Sequence, residues 1–193
     1  KSANGYWYGT FLTPEVIMYN TRMLAATEAP MDWDELLDPK WAGRIVIRYP
    51  LASGTMRIIL SAMIERQLKV SGSTDGGLAW LRALDANTKA YVADPTQLYL
   101  SIARGEGVVT LWNLPDIVMQ VSVNGYPFGY VIPKSGTPLI TDCIAIVRGT
   151  RHMVEAERFY EFVTSQESMV KQAEMFAAIR AASPVRLVRG RGG

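Results

Sequence analysis

The residues whose groups are best suited to chemistry follow a short apolar strand predicted over residues 44–49. Ser53, Gly54 and Thr55 come just after this strand and open an amphipathic helix, with Arg57 in its first turn. The first N–H groups of a helix lack intrahelical partners and carry the positive end of the helix dipole, so this loop can surround an anion. The arrangement predicts recognition of a negatively charged ligand. The same residues are also typical of a plain helix cap, with Arg57 as a solvated surface residue.

A second junction of strand and helix offers a similar position. The predicted strand 107–112 ends in Trp112, and Asn113 suits the N-cap of the helix that follows. Ligands of open α/β sheets bind beyond the carboxyl ends of strands, so we expect both loops to line one cleft. In this interpretation Trp112 supplies a flat apolar face and Asn113 an amide. The alternative is that Trp112 is a core residue.

The inventory of reactive residues argues against catalysis. His152 is the only histidine. The sequence contains no nucleophile elbow, P-loop, dinucleotide-binding glycine motif or zinc-type spacing of Cys and His. Acid–base catalysis by two carboxylates stays open, although Asp34 and Glu35 are explained by the start of a short helix. We expect a protein that is not an enzyme, with no cofactor and no metal.

Length, composition and charge limit the classes of protein that are possible. A chain of 193 residues that is 49% hydrophobic and 20% charged can bury a core, as one large domain or two small lobes. The formal net charge of +2 is too small to indicate a nucleic-acid partner. No apolar run is long enough to span a membrane. The single cysteine, Cys143, excludes an internal disulfide, and we expect its thiol to be buried in a strand.

Strands and helices alternate along the chain. The patterns predict strands at residues 6–12, 15–20, 44–49, 107–112, 127–133 and 141–147. Helices are predicted at residues 33–37 and 55–68, at a segment ending near residue 85, and after Asp94 and Asn113, with two more from Met153 onward. The alternation predicts an α/β fold whose mixed sheet carries helices on both faces.

Five segments, in order, resemble bacterial ABC-transporter solute-binding proteins of the ferric-iron and phosphonate type. They are YNT at 19–21, PMDWDELLDPKWAG at 30–43, RGE at 104–106, VIPKSGT at 131–137 and AERFYEFVTSQE at 156–167. None is as specific as a metal-ligand cluster, and the strength of the resemblance lies in the ordered set. It covers nearly the whole chain, from about Tyr6 to Pro184.

The resemblance implies a two-lobed fold of the type II periplasmic-binding-protein class, in a chain truncated at its N-terminus. Residues 1–19 would be crossing strands, 20–133 the second α/β lobe, and 134–193 a return segment with helices of the first lobe. The implied protein is the substrate-binding component of an ABC importer. It is expected to be periplasmic, or a membrane-anchored lipoprotein in a Gram-positive bacterium. We expect a monomer whose partners are a small anionic solute and a membrane permease, without nucleic acid.

The resemblance also tests the ligand class. Ferric-binding members hold iron with tyrosine phenolates in the segment corresponding to 112–116, and some add one in the helix after the loop corresponding to 53–55. This chain offers Asn113, Leu114 and Pro115 at the first place and no tyrosine at the second. Hard ferric iron needs anionic oxygen ligands, so we expect a phosphonate, phosphorylated metabolite or carboxylate instead. The alternatives are a ferric-iron transport protein and the ligand-sensing domain of a regulator.

Overall fold

The structure is a computed structural model that describes residues 6–182 and 187–188. Its strands are β1 (Tyr8–Asn20), β2 (Ile45–Arg48), β3 (Thr88–Val92), β4 (Val109–Asn113), β5 (Phe128–Val131), β6 (Leu139–Ile144) and β7 (Leu187–Val188). Its α-helices are α1 (Gly54–Ser71), α2 (Asp75–Asn87), α3 (Pro95–Ala103), α4 (Leu114–Asn124), α5 (Met153–Thr164) and α6 (Gln166–Ala182). Short 3-10 helices cover Trp33–Leu37, Pro39–Trp41 and Pro50–Ala52.

The long strand β1 organises a mixed sheet. The strand order is β3-β2-β4-β1-β5-β7, and β6 pairs with the first half of β1. Strands β2, β3 and β4 are mutually parallel, whereas β1 runs antiparallel to β4, β5 and β6. The two strands predicted at 6–12 and 15–20 are therefore one strand. Pro14 lies where β1 leaves β6 and begins to pair with β4.

Helices cover both faces of the sheet, which confirms the predicted fold class. On one face, Ile17 and Tyr19 of β1 pack in a cluster with Met56 and Ile59 of α1. On the other, Val16 packs in a cluster that includes residues of α3 and α4. Successive residues of β1 thus alternate between two apolar cores.

Three local expectations are wrong. Strand β3 was not predicted, because it follows α2 without a loop and alternates half-buried with exposed residues such as Lys89. Leu78, Leu81 and Leu84 recur at a spacing that predicts that they face inward, but Leu78 is exposed and Gly77 is buried instead. Cys143 was expected to be buried but is exposed. Its strand β6 contains no buried residue, because it forms a ribbon with β1 away from both cores.

The C-terminal helices leave apolar side chains uncovered. Helix α5 forms where the spacing from Met153 to Val163 predicts it, yet none of its residues is buried. Phe159 is 61% exposed and Phe162 is 67% exposed. Within the part of the chain that is described, none of the helices has the length and apolar character needed to cross a membrane.

Candidate functional site

The site lies at the edge of the sheet where three parallel strands end. Strands β2, β3 and β4 are each followed by a helix, α1, α3 and α4 respectively. Ser53, Asp94 and Asn113 cap these helices, each accepting a hydrogen bond from the backbone of the first turn. Parallel strands point their carboxyl ends the same way, so three helix N-termini meet at one edge.

Ser53 is the cap of the anion-binding loop predicted from the sequence. Its side chain is buried, and its Oγ accepts a hydrogen bond from the N–H of Met56 at 3.2 Å. Arg57 N–H donates to the Ser53 carbonyl at 3.1 Å, so Gly54 and Thr55 supply the first-turn N–H groups left for a ligand. Gly54 faces open space, and Thr55 is half-buried. Arg57 is exposed in the same turn.

The junction of β4 and α4 is built differently from the loop before α1. Trp112 is only 3% exposed and belongs to the core cluster. Its Nε1 donates to the Tyr99 hydroxyl at 3.0 Å and to Asp116 Oδ2 at 3.1 Å. The two rings meet edge to face, with centroids 6.1 Å apart. The core interpretation of Trp112 therefore describes its surroundings better than an open ligand-binding face.

Asp116 neutralises the N-terminus of α4 from within the chain. Its Oδ2 accepts hydrogen bonds from Tyr99 Oη at 2.9 Å and Asn113 Nδ2 at 3.0 Å, besides the one from Trp112. Asn113 Oδ1 in turn accepts the Asp116 N–H at 2.9 Å. Burial, followed by the charge of Asp116, raises the pKa of Tyr99 above its usual value, so the phenol stays a donor. The first turn of α4 thus contains an acidic side chain and a proline without an N–H group, whereas the first turn of α1 contains neither.

Arg48 was not identified from the sequence. It ends β2, and its Nη2 donates to the Ala93 carbonyl at 2.7 Å, which ties together the loops after β2 and β3. The guanidinium carbon lies 5.9 Å from the centre of the Trp112 ring, a cation–π distance. The signal in the sequence is a charged residue at the carboxyl end of an apolar strand.

Glu15 is the second residue that the sequence did not reveal. It lies in β1 opposite Asn113 of β4 and is fully buried, at 0% exposure. Neither carboxylate oxygen has a hydrogen-bond partner among the described residues. Burial, followed by the charges of Asp116 and Asp142, raises its pKa to about 8, and the Thr55 hydroxyl acts in the opposite direction. At neutral pH this carboxyl is mostly protonated.

The amide and carboxylate groups at the start of α4 already have hydrogen-bond partners. Across residues 6–182 and 187–188, no group of three or more His, Cys, Asp or Glu side chains is placed to hold a metal ion. Asn113 uses its amide to cap α4, and the carboxylate of Asp116 already accepts three hydrogen bonds.

Comparison with known proteins gives the family. The pattern of the bacterial extracellular solute-binding proteins matches residues 1–188, so the chain belongs to that family. It is 26% identical over 190 residues to the probable ABC transporter periplasmic-binding protein y4fP of Sinorhizobium fredii, covering 93% of this chain and 50% of the relative. It is 29% identical over 187 residues to iron uptake protein A1 of Synechocystis, covering 90% and 49%.

A further relative is named for a different ligand. The chain is 26% identical over 165 residues to a putative 2-aminoethylphosphonate-binding periplasmic protein of Salmonella typhimurium, covering 82% of this chain and 46% of the relative. The chain spans about half the length of the curated relatives it matches. The predicted family, the bacterial extracellular solute-binding proteins, is confirmed.

Solved structures confirm the periplasmic-binding-protein fold. The periplasmic binding protein AfuA from Actinobacillus pleuropneumoniae, with fructose-6-phosphate bound, superposes with a TM-score of 0.76 at 22% identity, covering 98% of this chain and 60% of that one. Iron-bound HitA from Pseudomonas aeruginosa gives a TM-score of 0.70 at 22% identity, covering 94% and 56%. At this identity the likeness concerns the fold alone.

Proposed function

We propose that this chain is part of the substrate-binding component of an ABC importer and that its solute is a small organic anion. The negative group of the solute binds at the N-terminus of α1. The observation that supports this most is an 18-residue helix capped by Ser53, which presents the N–H groups of Gly54 and Thr55 at the carboxyl edge of a parallel sheet. Arg57, one turn into the helix, adds a cation that can pair with the anion.

The ligand class follows from the donors and from the relatives together. Neutral N–H groups, a hydroxyl and an arginine suit phosphonate, phosphate or carboxylate groups. One relative is named for 2-aminoethylphosphonate, and one structural neighbour holds fructose-6-phosphate. Ferric iron is the second candidate because another relative is named an iron uptake protein. The segment from Asn113 to Pro115 offers iron no anionic oxygen, which favours the organic anion.

The division into lobes is also a proposal. Residues 20–133 form the second lobe, which contributes most of the residues of the two apolar cores, while 1–19 cross between lobes and 134–193 return to the first lobe. Exposed apolar residues support this division, since Phe11, Leu139 and Phe162 lie in the crossing and return segments. Another lobe packed on them would remove this surface from water.

Transport would then follow from a shift between open and closed forms. A solute that touches both lobes favours the closed form, and the closed form docks on the membrane permease. This role places the protein in the periplasm, or on the outer surface of a Gram-positive cell as an anchored lipoprotein. We propose that it acts as a monomer without nucleic acid.

The test is calorimetry on the full-length protein with 2-aminoethylphosphonate, fructose 6-phosphate, citrate and ferric iron. The double substitution Ser53→Ala and Thr55→Ala removes two hydroxyls from the site. At roughly 0.5 to 1.5 kcal/mol for each hydrogen bond lost, it should weaken anion binding at least several-fold. Ser61→Ala, on the exposed side of α1, is the matched control. Full affinity in the folded double variant, or tight binding of ferric iron alone, would contradict the proposal.

A further inference from the structure

The guanidinium group of Arg48 lies where the three helices of the site begin. Its Nη2 donates to the carbonyl oxygen of Ala93 at 2.7 Å and to that of Ala52 at 3.4 Å. Its carbon Cζ lies 5.9 Å from the centre of the Trp112 ring. Each of these three residues directly precedes the N-cap of a helix: Ala52 before α1, Ala93 before α3 and Trp112 before α4. One cation therefore lies among three helix N-termini.

No carboxylate among the described residues forms an ion pair with Arg48. The ion pairs in this part of the chain join Arg66 to Asp34 and Lys69 to Glu65. The N–H groups at the start of a helix carry partial positive charge, so the three helices add to the positive potential around the guanidinium. Such a position favours a bound anion.

The two acidic side chains at the starts of α3 and α4 are engaged elsewhere. Asp94 Oδ1 accepts the N–H of Gln97 at 2.9 Å, and Asp116 Oδ2 accepts three side-chain hydrogen bonds. These carboxylates reduce the positive potential at the edge of the sheet, but neither pairs with Arg48. The charge of the guanidinium is thus available to a ligand.

The guanidinium is open to solvent. Arg48 is half-buried, and Ala52 and Ala93, whose carbonyls it binds, are both exposed. A guanidinium carries five N–H donors, and the two on Nη2 are used by these carbonyls. Nε is buried without a partner among the described residues, whereas Nη1, which also lacks one there, is not buried. Nη1 can therefore donate to an anion that arrives from solvent.

The same anion can reach the first turn of α1. Gly54 follows Ala52 by two residues, so chain geometry places its nitrogen within roughly 8 Å of Nη2 of Arg48. Donors to two oxygens of one tetrahedral anion can lie up to about 8 Å apart, because each hydrogen bond is about 2.9 Å long. Arg48 and α1 can thus share one anionic group.

We propose that Arg48 binds the anionic group of the solute together with the N-terminus of α1, and that it makes the site prefer doubly charged tetrahedral groups to singly charged ones. This inference rests on the proposed function and adds to it a binding residue and a charge preference. An unpaired, partly desolvated cation attracts two negative charges more strongly than one.

Methyl phosphate and methyl sulfate are the probes that test this preference. Both present a tetrahedral group of similar size. At pH 8 the phosphate ester carries two negative charges, because its second pKa is about 6, and the sulfate ester carries one. Titration calorimetry on the full-length protein measures the Kd of each probe. We expect the wild type to bind methyl phosphate roughly ten- to a hundredfold more tightly, the range for one charged hydrogen bond.

Three variants assign the preference to Arg48. Arg48→Met keeps an unbranched side chain without the charge and should reduce the preference at least about fivefold. Arg48→Lys keeps the charge and should retain most of the preference. Arg104→Met, the matched control, removes an exposed positive charge at the opposite end of α3 and should bind both probes like the wild type.

A purely structural role of Arg48 gives a different result. If the side chain only held the loops at Ala52 and Ala93 in place, Arg48→Met would weaken both probes by the same factor and leave their ratio unchanged. Urea unfolding checks that each variant folds. Arg48→Gln, which keeps donors for the two carbonyls, makes the same comparison if Arg48→Met does not fold.

The outcomes separate this inference from the proposed function. Equal affinity of the wild type for both probes would overturn the role of Arg48 and leave the anion site at α1 intact. A preference that persists in the folded neutral variant would overturn it as well. If the wild type binds neither probe, the proposed anion site fails, and the inference fails with it.

Discussion

The buried carboxyl of Glu15 predicts an unusual dependence of stability on pH. Its pKa is raised from 4.5 to about 8, chiefly by burial. Between these values the folded protein holds a proton that the unfolded chain has lost. The free energy of unfolding should therefore fall as the pH rises, by about 1.4 kcal/mol per pH unit from this group. The contribution is complete below pH 4.5 and lost above pH 8.

Glu15→Gln removes this dependence because the amide does not titrate. Relative to its value near pH 4.5, the free energy of unfolding of the wild type should fall by roughly 3 kcal/mol more than that of the variant on reaching pH 7. The measurement is urea denaturation at intervals from pH 4.5 to pH 9, followed by tryptophan fluorescence.

Glu65→Gln supplies the control for this profile. Glu65 is exposed and pairs with Lys69 at 2.7 Å, so its loss should leave the pH dependence of the wild type unchanged. Parallel profiles for the wild type and Glu15→Gln would refute the reasoning, since they would mean that Glu15 ionises normally in the folded protein. If the wild type instead became more stable between pH 5 and pH 8, and Glu15→Gln did not, the reasoning would be refuted more directly.

Three further predictions concern packing, capping and the lobes. Gly77→Ala would place a Cβ 2.4 Å from the backbone of Ile64 and should lower the free energy of unfolding by about 1 to 3 kcal/mol. Gly76→Ala, which meets only a flexible side chain, should be neutral or stabilising by up to about 1 kcal/mol in the same denaturant titration. Asn113→Ala removes the cap of α4 and should cost about 1 kcal/mol, measured by thermal and urea unfolding; an unchanged midpoint would count against the cap. Phe162→Ala should cost about 3 kcal/mol in the full-length protein if another lobe covers it, whereas a change within about 0.5 kcal/mol would contradict that covering.

Local signals in the sequence predicted much of the framework. Asp94 and Asn113 cap their helices as expected, and Gly105 and Gly125 adopt the positive φ that ends a helix. These features depend on residues within a turn of one another, so the sequence records them directly. The loop at Ser53 was found in the same way, because a strand followed by a capped helix is a local pattern.

Strand β3 and Cys143 show where local patterns fail. The residues of β3 have weak alternation, and they become a strand because β2 offers them a parallel edge. Cys143 has the apolar neighbours of a buried strand, yet β6 pairs with a part of β1 that lies away from both cores. Burial of a strand depends on what packs against it, which its own residues do not specify.

The sequence by itself determined the fold class and the capped helix α1 that we propose as the anion site, because periodicity and caps act between neighbouring residues. Only the tertiary structure decided which side chains lie together where the parallel strands end. It brought the Tyr99 hydroxyl and the Trp112 indole N–H onto the carboxylate of Asp116, in the first turn of α4. It also buried Glu15 opposite Asn113. Such contacts join residues far apart in the chain, and the pKa and role of a carboxyl depend on the neighbours that folding provides.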